Sequence, residues 1–74
     1  MNSQEVEKMI KIVFPDAGVQ VRDMTGTGDH FEIEVVSKDF VGKTRVQQHQ
    51  RVHQALAKEM GRRIHAVQIR TTVG

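Results

Sequence analysis

The chain has 74 residues, 27% of them charged and 38% hydrophobic, with a formal net charge of +2 and no cysteine. That length suits one domain, read here as residues 1–74, which buries about 60% of its unfolded surface. The lack of thiols excludes a disulfide-stapled scaffold, a Cys-type zinc finger and thiol catalysis by the chain itself. No apolar run approaches the ~18 residues of a membrane span. The first residues do not read as a signal peptide, so the expectation is a cytoplasmic protein with no membrane contact.

The small net charge conceals an asymmetry. Residues 1–37 carry three Lys or Arg against seven Asp or Glu, whereas residues 38–74 carry eight against two. The halves therefore differ as −4 and +6, and the basic half suits either an anionic partner or a solvated helix face.

In chain order, Val6, Met9, Ile10, Val13 and Phe14 recur at helical period and predict a first helix. Asn2 or Ser3 caps it, and Pro15 stops it. Val19 and Val21 alternate with Gln20 and Arg22 as a short strand. Thr25-Gly26-Thr27-Gly28-Asp29 forms the turn, and Phe31, Ile33 and Val35 alternate with Glu32 and Glu34 as a second strand. Ser37 to Lys43 is a connector anchored by Phe40 and bent at Gly42. Thr44-Arg45-Val46-Gln47 matches a capping box, predicting a long helix from about residue 44 to a C-terminal cap at Gly61. Its inner face is expected to carry Val46, His49, Val52, His53, Leu56 and Met60. Residues 64–71 form the last strand, with Val67 and Ile69 on one face.

The predicted class is α+β, in the order αββαβ, with helices covering one face of a three-stranded mixed sheet. The second strand, long helix and third strand make a crossover unit, which permits those two strands to run parallel. Parallel neighbours start at the same end of a sheet and lie about 4.8 Å apart. His30 opens one strand and His65 the other, so both imidazoles and the glycine hairpin are expected at one rim.

Three chemistries can be weighed from these residues. A metal site normally needs three or four protein ligands. His30 and His65, with Asp29 adjacent, supply at most half a site, and a partner would have to complete it. His49 and His53, four apart on a helix, are a second pair without a third ligand. For nucleic acid, Lys43 and Arg45 at a helix start, with Arg51 beyond, suit phosphate groups, but Phe14, Phe31 and Phe40 are expected in the core rather than as stacking platforms. Catalysis has no support: there is no nucleophile triad, phosphate loop or dinucleotide fingerprint. No enzyme is expected.

The stretch HFEIEVVSKDFVGKTRVQQHQRVHQAL followed by RRIHAVQI resembles the BolA family signature. The matching residues are His30-Phe31, Val35-Val36-Ser37, Phe40, Gly42-Lys43, Gln48-His49, Val52, Leu56 and Ile64-His65-Ala66. The resemblance implies the family's αββαβ fold, related to the type II KH fold. It implies a non-enzymatic accessory protein of iron–sulfur cluster trafficking or iron regulation, paired with a monothiol glutaredoxin. The two would share a [2Fe–2S] cluster, with glutaredoxin and glutathione giving thiolates and His65 giving an imidazole; the isolated chain would hold none. Many relatives carry a further His or Cys in the hairpin loop. Here Thr25 to Asp29 has neither, which leaves the second ligand open and His30 as its candidate. The resemblance also implies a transcriptional-regulator alternative, in which Lys43, Arg45 and Arg51 meet DNA. A homodimer is a further alternative assembly.

Overall fold

The computed structural model describes all 74 residues. Helix α1 (Ser3–Val13) leads into strands β1 (Gly18–Asp23) and β2 (His30–Val36). A 3₁₀ turn at Lys38–Phe40, helix α2 (Arg45–Ala55) and strand β3 (Ala66–Thr72) follow. The predicted αββαβ order therefore stands. Asn2 is the α1 cap: its side chain accepts the Glu5 N–H at 2.8 Å, and Glu5 accepts the Asn2 N–H in return. Thr44 and Gln47 make the same reciprocal pair at the start of α2, so each helix begins with two backbone donors satisfied by local side chains.

The sheet has the order β1-β2-β3, with β1 antiparallel and β3 parallel to the central β2. Period-2 alternation then decides the faces. Phe31, Ile33 and Val35 are fully buried on the inner face of β2. The register sets Val19 and Val21 beside Val35 and Ile33 on one side, and Val67 and Ile69 beside Phe31 and Ile33 on the other. Helix α1 packs on β1, α2 on β3, and the two helices touch each other. Val6, Ile10, Phe14, Ala17, Phe40, Val52, Leu56 and Ile64 complete the core. Phe14 and Phe40 meet with ring centroids 5.4 Å apart and planes tilted by 60°, close to the edge-to-face geometry that aromatic quadrupoles favour. No helix is long and apolar enough to cross a membrane.

Two expectations about α2 are corrected. The helix stops at Ala55 instead of running towards Gly61. Good helix formers follow, but Leu56 and Ile64 are both fully buried, and a succession of turns connects them in place of further helix. Gly61, at φ +77°, lies in one of these turns and donates its N–H to the Ile64 carbonyl. The inner face is also narrower than the spacing predicts. Val46 is 66% exposed and His53 is exposed, because at about 100° per residue Val46 lies roughly 120° around the helix from Val52 and His53 about 100°. Val13, placed on the α1 stripe, is likewise 39% exposed at the last residue of that helix.

A candidate metal-ligating rim

The parallel register sets His30 beside Ala66, so His65 immediately precedes the partner of His30. The two imidazoles gather at one rim, with ring centroids 6.2 Å apart and planes tilted by 31°. His30 shares the outer, helix-free face of β2 with Glu32 and Glu34, and its side chain is 39% accessible. His65 is exposed. Both rings thus stand where a partner's donors can reach them.

The hairpin loop between β1 and β2 builds this rim. The Asp23 carboxylate at the end of β1 accepts three loop N–H groups: Thr25 at 3.2 Å and Gly26 at 2.8 Å on Oδ1, and Gly28 at 2.8 Å on Oδ2. Gly28 sits at φ +76°, and a Cβ there would lie 2.6 Å from the Met1 carbonyl oxygen. The position therefore needs glycine for conformation and for space.

Asp29 closes the loop and touches both histidines. Its Oδ1 lies 2.7 Å from His30 Nδ1, and its carbonyl accepts the N–H of His65 at 2.8 Å and of Ala66 at 3.3 Å. The Thr27 hydroxyl also donates to Oδ1. The Asp29 carboxyl is held below its ordinary value, first by the Thr27 hydrogen bond and then by His30, with His65 adding electrostatic support. The rim was legible in the sequence, but the work of Asp23 was not. An Asp just before a Thr-x-Thr-Gly turn is the signal that would have found it, since such carboxylates cap nearby N–H groups.

Nowhere does the chain gather three His, Cys, Asp or Glu side chains able to hold a metal ion. The rim supplies two imidazoles and no thiolate. His49 is half-buried between α2 and β3 beside Arg45, Ile69, Arg70 and Thr71, whereas His53 faces solvent.

The three basic positions do not all share one site. Lys43 Nζ donates to the Asp39 carbonyl at 2.9 Å, and the Arg51 guanidinium carbon lies 5.4 Å from the centroid of the Phe14 ring. These two line one shallow cavity with Gln47, Gln50 and Gln54, while Arg45 lines a different one beside His49 and Arg70. Gln48, one of the family-matching positions, has a structural role. It donates to the Lys43 carbonyl at 2.9 Å and accepts from the Thr71 hydroxyl at 2.6 Å, tying the connector and α2 to β3.

Residues 9–73 match the family model described as BolA-like protein. The chain belongs to the BolA family. The mouse BolA-like protein 3 is 41% identical over 71 residues, covering 93% of this chain but 64% of the mouse protein. The uncharacterized protein RP812 of Rickettsia prowazekii is 30% identical, covering 96% of this chain and 92% of that one. The chain thus spans nearly all of one BolA relative and just under two thirds of another. A crystal structure of a bol-like protein from Babesia bovis superposes with a TM-score of 0.86 at 26% identity, covering 99% of this chain and 85% of that one. The three-stranded mixed sheet with two helices is therefore the BolA architecture.

Proposed function

We propose that this chain is a non-enzymatic accessory protein that pairs with a monothiol glutaredoxin and shares a [2Fe–2S] cluster with it, in iron–sulfur cluster trafficking or iron regulation. The observation that carries the proposal is the pair of accessible imidazoles, His30 and His65, 6.2 Å apart at one rim with no third ligand beside them. A [2Fe–2S] cluster has four terminal ligand positions, and two imidazoles on one iron with thiolates on the other is a stable arrangement in Rieske centres. Two thiolates from glutaredoxin and glutathione would supply what this cysteine-free chain lacks. His65 and His30 would hold the cluster from this side, and such mixed ligation raises its potential above that of an all-thiolate cluster. The cluster is then cargo held between two chains.

The DNA-binding alternative has less support, since Lys43 and Arg51 are engaged within the fold and Arg45 lies in a separate cavity. Native mass spectrometry of the chain mixed with cluster-loaded monothiol glutaredoxin tests the proposal. The expected species holds one copy of each chain, one glutathione and two irons. Recovery of only the separate proteins would refute it.

A further inference from the structure

We infer that Asp29 is the positioning residue of the rim, fixing His30 so that its Nε2 is the ligating atom while the backbone of Asp29 sets the station of His65. The inference rests on the cluster-sharing reading above for what the rim receives, but not for the geometry. An ionised carboxylate only accepts hydrogen bonds. With Asp29 Oδ1 at 2.7 Å from His30 Nδ1, the proton of a neutral His30 belongs on Nδ1, and the Nε2 lone pair is left free. Metal-ligating histidines commonly donate their second ring N–H to a carboxylate, which fixes the tautomer and makes the ring a better donor.

The same residue acts on the other histidine by a separate route. The Asp29 carbonyl accepts the backbone N–H groups of His65 and Ala66, so the side chain that orients the His30 ring and the carbonyl that anchors the His65 backbone leave from one Cα. Asp29 is itself restrained: Thr27 donates to its carboxylate, and Asp23 gathers the Thr25, Gly26 and Gly28 N–H groups just before it. A hairpin loop without a His or Cys of its own thus contributes by holding His30 at the start of β2 and the backbone of His65 just before β3.

Long-range ¹H–¹⁵N correlation spectra of the cluster-free chain at about pH 8, where a free imidazole is neutral, read the tautomer directly. The wild type is expected to show His30 protonated on Nδ1, and Asp29→Ala, which keeps the backbone carbonyl, is expected to lose that preference. A wild-type His30 protonated on Nε2, or an Asp29→Ala spectrum unchanged at His30, would overturn the inference. The wild-type spectrum decides the point even if the variant fails to fold. In titrations with cluster-loaded monothiol glutaredoxin, Asp29→Ala should bind about 10- to 100-fold more weakly. Wild-type affinity in that variant would also overturn the inference. Absence of any wild-type binding would instead refute the cluster-sharing proposal, with the tautomer result standing apart from it.

Discussion

At the scale of single residues, the hairpin loop makes the sharpest demands. Gly26 and Gly28 share positive φ, +75° and +76°, but only Gly28 faces an obstacle, since nothing lies within 4 Å of a Cβ built on Gly26. Alanine at Gly26 should therefore cost only the left-handed strain, about 1 kcal/mol. Gly28→Ala should cost clearly more, because the Met1 backbone must move as well. Urea denaturation of the two variants checks this, and equal midpoints would mean that the Met1 contact is not held in solution. That both histidines gather at one rim could be read from the sequence, because parallel neighbours start at the same end of a sheet, and His30 opens β2 while His65 immediately precedes β3. The role of Asp23 could not, because it depends on where three loop N–H groups turn after the strand has ended.

Secondary-structure elements show where local signals stop being sufficient. The Thr44–Gln47 capping box was visible as residue types at fixed spacing, whereas for α1 Asn2 and Ser3 were equal candidates for the cap until the reciprocal Asn2–Glu5 pair decided it; the strand alternation of Phe31, Ile33 and Val35 left little freedom. The end of α2 was obscure because residues 57–60 favour helix locally, whereas turns connect the buried Leu56 and Ile64. The narrower inner face yields a contrast: Leu56→Ala should cost about 2–5 kcal/mol, while Val46→Ala should stay within about 0.5 kcal/mol. Comparable losses by thermal or urea unfolding would contradict the observed facing of the helix.

The turns after α2 carry a pH-dependent ion pair. Arg63 pairs with Glu59 and reaches Glu5 at 3.7 Å, and its hydrogen bond holds the Glu59 carboxyl below the ordinary 4.5. A carboxylate with a depressed folded-state value stabilises the fold above its unfolded value, and that contribution is lost as pH falls through the folded value. Glu59→Gln should thus be less stable than wild type at neutral pH, with the gap closing on acidification below about pH 4. A gap independent of pH in denaturation series would show that the pair contributes by packing alone.

For the whole molecule, one face of the sheet carries the helices and the core, and one end carries the exposed histidines. His65 belongs to the second region and to none of the buried cluster, so the rim can be altered without emptying the core. Of the basic positions in the second half of the chain, Lys43 and Arg51 line one cavity and Arg45 lines another. The central claim is that this rim supplies imidazole to a shared cluster. Visible-region circular dichroism during titration of cluster-loaded monothiol glutaredoxin with wild type and with His65→Ala tests it most directly. Wild type should produce a new, saturable spectrum, and His65→Ala, with its far-ultraviolet spectrum unchanged, should leave the glutaredoxin spectrum as it was. Identical visible spectra with the two proteins would contradict the account.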